Sequence, residues 1–329
     1  MPFLVLADPK WPSPGERPHF LGNSGPAFLN YKAGKLAMKF SARRGIADGV
    51  AAMLILLFLG SLASAQIPKP GQTPKSSSLL KNIDLCNGVD RTSPEPQIRG
   101  CTAIINSGDL KKSGVAIAYS NRGDAYAARG DHDLALLDYD QSIKENPAYA
   151  KPYNNRGVAR LRKGEYDKAL EDLNEAISLD PKFASAFANR AATYQKKNDF
   201  DRAERDYDEA LRLNPDLKAI WSARCWNRAI LGELQAALAD CNKALQIQPN
   251  VAAPHDSRGL VYLKMGQFDS AIDDYNSALG FDPKLASALY GRGLAKRKKG
   301  DSHGADTDIA AAKTIQVKID DEFAHYGVQ

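Results

Sequence analysis

Arginine and aspartate recur in this chain at a fixed spacing that could position them for ionic chemistry. Counted in steps of 34 residues from Ala116, arginine stands at position 7 and aspartate at position 23 of six successive steps. These groups can bind a charged ligand, but they also form two-pronged ion pairs that hold two helices in register. We expect the structural role, an internal ladder of Arg–Asp pairs. The ladder residues are Arg122, Arg156, Arg190, Arg224, Arg258 and Arg292, with Asp138, Asp172, Asp206, Asp240, Asp274 and Asp308.

Asparagine occupies the preceding position, 6, in the first three steps. These residues are Asn121, Asn155 and Asn189, and the second step adds Asn154. A side-chain amide offers both a donor and an acceptor, so it can hold a peptide backbone without reading the peptide's side chains. The same amides could instead bind neighbouring helices. The sequence leaves both roles open, and we take the four asparagines as candidates for a peptide-binding site.

The sequence offers no pattern typical of catalysis or of metal and cofactor binding. Four histidines follow residue 65, and each falls at a different position of the 34-residue step. The chain has no H-E-x-x-H sequence, no phosphate-binding Walker loop and no G-x-S-x-G elbow. We therefore predict a protein that is not an enzyme and that uses no cofactor.

The four cysteines form two pairs that suit disulfide bonds. Cys225 and Cys241 stand at positions 8 and 24 of one step, and no other step has cysteine at either position. In a helical hairpin that turns near position 15, positions 8 and 24 face each other, within reach of a disulfide. Of the three connectivities, we expect Cys225–Cys241 and Cys86–Cys101; the alternative is four buried free thiols.

These residues must be positioned by a repeating pair of helices. Alanine stands at position 20 in every step, other small residues at positions 8 and 27, and mostly large residues at positions 4 and 24. Small residues let two helices approach closely, and the large residues fill the space beside them. Glycine or asparagine at position 15 suits the end of the first helix, and proline at position 32 of five steps ends the second.

The pattern resembles the tetratricopeptide repeat family over residues 116–319. The resemblance implies an all-α fold, a right-handed superhelical solenoid of six helix-turn-helix repeats whose first helices line a concave groove. Arginine at position 7 departs from the family's usual leucine. The asparagines at position 6 are similar to those lining the lumen of the peptide-binding superhelix of protein O-GlcNAc transferases. The repeats are 116–149, 150–183, 184–217, 218–251, 252–285 and 286–319.

Both ends of the repeat array differ from its centre. Residues 81–115 resemble a divergent half-unit, in which Cys101 precedes Gly123 by 22 residues where the regular spacing is 18. We expect a degenerate N-terminal cap with an inserted loop, which Cys86–Cys101 would staple. The last repeat departs from the pattern at Lys296, Lys313 and Val317. We expect it to act as the C-terminal cap, followed by a polar tail at 320–329.

The N-terminal region has the pattern of an export signal. Within residues 38–65, three basic residues precede the apolar run 50–59, and Ala63-Ser64-Ala65 forms a small-residue cleavage site. We expect a cleaved signal peptide, translation starting at Met38, and a non-native extension at 1–37. The alternative is that the signal is not cleaved and remains as an N-terminal anchor. Such an anchor is the only route by which we expect this chain to contact a membrane. Residues 66–80 are predicted to be a flexible linker.

Charge and pattern together indicate a binding protein. Residues 66–329 carry 37 basic and 36 acidic side chains, which argues against a nucleic-acid partner. We predict an exported scaffold, periplasmic in a Gram-negative source, that binds an extended peptide or partner helix in the concave groove. The alternative is a structural or assembly factor of the cell envelope, acting by self-association or in a membrane complex. A third hypothesis is a binding subunit for polysaccharide or for secretion machinery.

Overall fold

The computed structural model describes residues 75–89 and 93–328. Within these residues the chain forms fifteen α-helices and no strand, and the helices pair into hairpins that stack in chain order. The predicted all-α repeat solenoid is confirmed. The helices are α1 (Lys75–Cys86), α2 (Pro94–Ser107), α3 (Lys112–Arg129), α4 (His132–Glu145), α5 (Ala150–Arg162), α6 (Tyr166–Leu179), α7 (Ala184–Lys196), α8 (Phe200–Leu213), α9 (Lys218–Leu231), α10 (Leu234–Ile247), α11 (Ala252–Lys264), α12 (Phe268–Phe281), α13 (Ala286–Lys298), α14 (Ser302–Ile315) and α15 (Ile319–His325).

Each hairpin reverses at repeat position 15, where the backbone adopts a left-handed conformation. Gly130 has a φ of 93° and Gly232 a φ of 85°. Asn198 occupies the same position in the third repeat and has a φ of 60°. Glycine enters this region without steric cost, and asparagine tolerates it better than most residues. The first helix therefore ends here, and the second returns alongside it.

The two helices of a hairpin pack closely through repeat positions 8 and 24. A Cβ atom on Gly123 would lie 2.6 Å from the Tyr139 ring, and one on Gly259 would lie 2.7 Å from the Tyr275 ring. Real carbon contacts are not this short, so a side chain at either glycine would push the helices apart. The pattern of small and large residues thus describes how each hairpin is filled.

The N-terminal cap is a complete helical hairpin. Helix α1 begins at Lys75, so the last six residues of the segment predicted as linker are helical. The loop between α2 and α3 has the ordinary length, and α3 begins at Lys112, four residues before repeat position 1, whereas α5 begins at position 1 of its repeat. The four extra residues thus lengthen α3 rather than a loop. Four residues make about one helical turn, which keeps the buried face of α3 in register.

The last ten described residues, 319–328, do not form an exposed polar tail. Helix α15 follows α14 closely, and Phe323, Tyr326 and Val328 are at least nine-tenths buried. They belong to the same apolar cluster as Trp226 of the fourth repeat and Leu294 of the sixth. We call residues 319–328 the C-terminal segment.

The predicted upstream extension, signal peptide and most of the linker lie outside the described residues. In the described part of the chain, no helix is both long enough and apolar enough to cross a bilayer.

Candidate binding face

The Arg–Asp ladder lies between the two helices of each repeat. Arg190 donates from Nε and Nη2 to the two carboxylate oxygens of Asp206, at 2.7 and 2.8 Å. The other five repeats have the corresponding pair. The aspartates are nearly buried, and the Asp206 hydrogen bonds raise the pKa of Arg190 above its ordinary value. The ladder therefore fixes the hairpins in register.

Each ladder arginine also contacts the preceding helical hairpin. The free Nη1 of Arg190 donates to Asn174 at 2.8 Å, and Nη1 of Arg224 donates to Asp208 at 2.7 Å. The acceptor stands at position 25 of the preceding repeat, which is aspartate or asparagine in the first five repeats. Sequence reasoning missed this regularity, although it was visible. One guanidinium thus joins three helices.

The first arginine shows the longer spacing of the cap. Nη1 of Arg122 donates to Thr102 at 3.0 Å, a residue 20 positions earlier instead of 16. The difference of four residues equals the extra turn of α3. The cap therefore makes the same three-helix contact as the repeats.

Three of the four candidate asparagines are buried between first helices. The amide of Asn189 donates to Asn154 at 2.9 Å, and Lys151 donates to Asn121 at 3.1 Å. Asn121, Asn154 and Asn189 are each less than a tenth exposed. These contacts link successive first helices, which is the second of the two roles that the sequence left open.

Asn155 is the half-buried member of the set and belongs to a charged cluster. Its amide donates to Asp124 at 2.6 Å, and Asp124 also accepts from Lys151 at 2.7 Å. Burial lowers the pKa of Lys151 and Asp124 raises it, with a net rise above the ordinary value. This cluster joins α3 to α5 and remains partly exposed to solvent.

The surface formed by α3, α5, α7, α9, α11 and α13 is called the first-helix face. The C-terminal segment lies against it across several repeats. The Tyr326 ring meets Trp226 of α9 at 5.8 Å between centroids and Phe200 of α8 at 6.2 Å. The Phe323 ring lies 4.8 Å from Tyr290 of α13. A segment of this chain therefore occupies the first-helix face of the later repeats.

Polar contacts also hold the C-terminal segment against the repeats. Lys264 of α11 donates from Nζ to the carbonyl oxygen of Tyr326 at 2.8 Å and to that of Ile230 at 3.2 Å. Glu322 lies close enough to Lys196 of α7 to act on it electrostatically, although burial dominates and lowers the pKa of Lys196. The sequence analysis did not predict this packing of the C-terminal segment. Residues 320–328 follow the last repeat, so the 34-residue period gives no information about their contacts.

Both predicted cysteine pairs lie at disulfide distance. The α carbons are 4.5 Å apart for Cys86–Cys101 and 5.4 Å apart for Cys225–Cys241, and all four side chains are fully buried. Cys86–Cys101 joins α1 to α2. Cys225 adjoins Trp226 in α9, so a disulfide at this pair would join the helix that carries Trp226 to α10. Among the described residues, no group of side chains is arranged to hold a metal ion.

Comparisons with known proteins identify the repeats. The profile described as Tetratricopeptide repeat matches residues 150–183 and 184–217, and the profile described as TPR repeat matches residues 123–164 and 259–300. The comparison with curated proteins finds no match.

Three solved structures are similar to this chain, and two of them, with TM-scores above 0.5, share its fold. A tetratricopeptide repeat protein from Parabacteroides merdae is 18% identical over 77% of this chain and 98% of its own, with a TM-score of 0.55. The APC/C hetero-tetramer Cut9–Hcn1 matches at 16% identity over 76% of this chain and 48% of that one, with a TM-score of 0.56. YrrB, a TPR protein with an unusual peptide-binding site, is 23% identical over 55% of this chain and 93% of its own, with a TM-score of 0.43.

Proposed function

The chain belongs to the tetratricopeptide-repeat family, and from this we propose that it is an exported, non-catalytic scaffold that binds a peptide segment or helix of a partner protein along its first-helix face. One observation carries the proposal. The chain's own C-terminal segment, a short helix followed by a turn, lies on that face with two aromatic side chains among the first helices. A helical segment therefore fits this surface.

The other conspicuous polar groups are already used within the fold. Ladder arginines bind two carboxylate oxygens and a third acceptor on the preceding hairpin. Asn121, Asn154 and Asn189 are buried between first helices, and we assign them to the alignment of the repeats. Asn155 and the adjoining pair Asp124–Lys151 remain partly exposed, and we assign them to partner contact in the early repeats.

Export is supported by the chemistry of the cysteines and by the leader. Both cysteine pairs of the described chain lie at disulfide distance, and disulfides persist in oxidising compartments. The basic, apolar and small-residue stretches of residues 38–65 have the order typical of a secretory signal. We therefore place the working protein outside the cytosol.

Site-specific photo-cross-linking in envelope extract tests the binding face. One photoreactive residue replaces Val158 in α5. Val158 stands at position 9 of the second repeat, the position that Trp226 occupies in the fourth. The matched control replaces Glu171, an exposed residue of the second helix α6. We expect a defined partner to be cross-linked from position 158 and not from position 171. The same products from both positions would contradict the proposal, and cross-linking of the chain to itself would favour assembly by self-association.

A further inference from the structure

The C-terminal segment has the composition of a ligand for the surface that it covers. Its acidic first turn is Asp320-Asp321-Glu322, and its aromatic side chains at 323 and 326 are three residues apart on one side of the helix. Phe323 is fully buried and Tyr326 is 5% exposed, while Asp321 and His325 face solvent. The segment is thus amphipathic, with its aromatic side against the repeats.

The repeats present a matching surface. Trp226, Leu260, Leu263 and Leu294 come from the first helices of three successive repeats and share one apolar cluster with the segment. Lys264 binds its backbone at Tyr326, and Lys196 lies near its Glu322. The indole N–H of Trp226 is buried and has no acceptor among residues 75–89 and 93–328. The surface therefore combines apolar side chains with two lysines and one indole N–H that lacks an acceptor among the described residues.

The segment is held by this surface rather than by its own stability. Helix α15 has seven residues, and helices shorter than about 12 residues are marginal in water. Its connection to α14 passes through Val317, whose side chain is 80% exposed. A short helix joined to the repeats through an exposed link can open locally without unfolding them.

We propose that this part of the first-helix face is a recognition site for an acidic helical segment of a partner protein carrying two aromatic side chains three residues apart, and that residues 319–328 are the intramolecular occupant that such a partner displaces. The inference rests on the proposed function and deepens it, because it names the chemistry of the partner and the contact that regulates access. A tethered occupant competes at an effective concentration on the order of millimolar. The partner must therefore bind more tightly than the chain's own segment does.

A labelled peptide with the sequence of residues 318–329 serves as the probe, and its binding to the full oxidised chain is followed by fluorescence anisotropy. Replacing Phe323→Ala and Tyr326→Ala in the chain loosens the tethered occupant. We expect the probe to bind this double variant at least tenfold more tightly than it binds the original chain. Leu137→Ala, at an exposed residue of α4, is the matched control and should leave probe binding as weak as in the original chain.

Two further arms keep the test decisive. A probe with both aromatic residues replaced by alanine should not bind, and Lys264→Met in the double variant should weaken binding of the normal probe severalfold. Should the double variant lose helicity, a protease site placed after Val317 lets the chain fold first and then severs the segment. The labelled probe should then exchange into the cut protein.

Several outcomes would overturn the inference. They are a folded double variant or cut protein that does not bind the probe, equal binding of the alanine probe, and a dimer of the original chain that disappears in the double variant. The last would assign the surface to a second copy exchanging its C-terminal segment. Failure here with a partner still cross-linked from position 158 would leave the proposed function standing and remove only the partner's chemistry.

Discussion

Tyr326 meets Trp226 edge to face, with ring centroids 5.8 Å apart and ring planes at 87°. These residues are a hundred positions apart in the chain, one beyond the last repeat and the other in the first helix of the fourth. Aromatic pairs in this geometry add about 0.5–1.5 kcal/mol to the effect of their burial. The contact shows that the C-terminal segment lies against the first-helix face.

The contact predicts that Tyr326→Ala releases the C-terminal segment. The variant loses the ring contacts with Trp226 and Phe200, while the ladder and the hairpin packing of the repeats are untouched. Hydrogen exchange followed by mass spectrometry should show amides in residues 319–328 exchanging at least tenfold faster, with α5 and α6 unchanged. Val317→Ala, at an exposed side chain, is the control. Unchanged protection of the segment would refute the anchoring role of Tyr326.

The disulfide predicted for the fourth repeat implies a measurable loss of stability when both cysteines are replaced. Cys225 and Cys241 close a loop of 16 residues, for which chain-entropy arguments give about 3 kcal/mol. Cys225→Ser with Cys241→Ser should therefore lower the melting temperature by several degrees. Reduction of the original chain should act in the same direction.

A second variant of that disulfide separates cross-linking from packing. Cys225→Gly with Cys241→Tyr reproduces the Gly123–Tyr139 pair of the first repeat, whose close contact fills the hairpin. Its melting temperature should exceed that of the double serine variant, and reductant should lower it less than it lowers that of the original chain, because only Cys86–Cys101 remains to be reduced. A melting temperature equal to that of the serine variant would show that repeat positions 8 and 24 are not interchangeable between repeats.

The ladder predicts strong coupling between paired residues. Arg190→Leu leaves the nearly buried Asp206 without its partner, and breaking a buried pair in this way costs about 3–5 kcal/mol. Adding Asp206→Ala removes the unpaired carboxylate and should recover part of the loss. The measurement is a double-mutant cycle on the free energy of unfolding in urea. Additive losses would show that the two residues act independently.

Asp256 predicts a pH dependence of stability near neutrality. Burial raises its pKa to about 7, against a smaller lowering by the Ser287 hydroxyl, which donates to it at 2.6 Å. An unfolded aspartate has a pKa of about 3.9, so between about pH 4 and 7 the folded chain keeps a proton that the unfolded chain has lost. The contribution of Asp256 to stability is therefore present below pH 4, falls as the pH rises through 7, and then levels off.

The matched variant for this dependence is Asp256→Asn, which still accepts a hydrogen bond and does not ionise. Melting temperatures of both proteins measured from pH 5 to pH 8 should diverge, with the variant gaining relative stability as the pH rises. Parallel curves over that range would show that Asp256 titrates below it.

Sequence and structure agree where a residue's role recurs in every repeat. The 34-residue period accounts for the hairpin turns at Gly130 and Gly232, the close pair Gly123–Tyr139 and the six ladder pairs. The same packing of two helices recurs in every repeat, so the same residue types recur with it. The third contact of the last five arginines was equally periodic and could have been predicted from position 25.

The period did not reveal features that occur once. The extra turn of α3 adds residues without changing their character, so a loop and a helical turn look alike in the sequence. Phe323 and Tyr326 pack against helices far away in the chain, a relationship that local spacing does not encode. Asn121, Asn155 and Asn189 share one repeat position, yet the first and last are buried and Asn155 is half-buried, a difference that the period does not encode.

The central claim, that partners bind the first-helix face, is tested most directly by hydrogen exchange of the full oxidised chain with and without the cross-linked partner. The account predicts slower exchange in the first helices α5, α7, α9 and α11, faster exchange in residues 319–328, and no change in the second helices α6, α8 and α10. Protection confined to the second helices, with the C-terminal segment undisturbed, would contradict it.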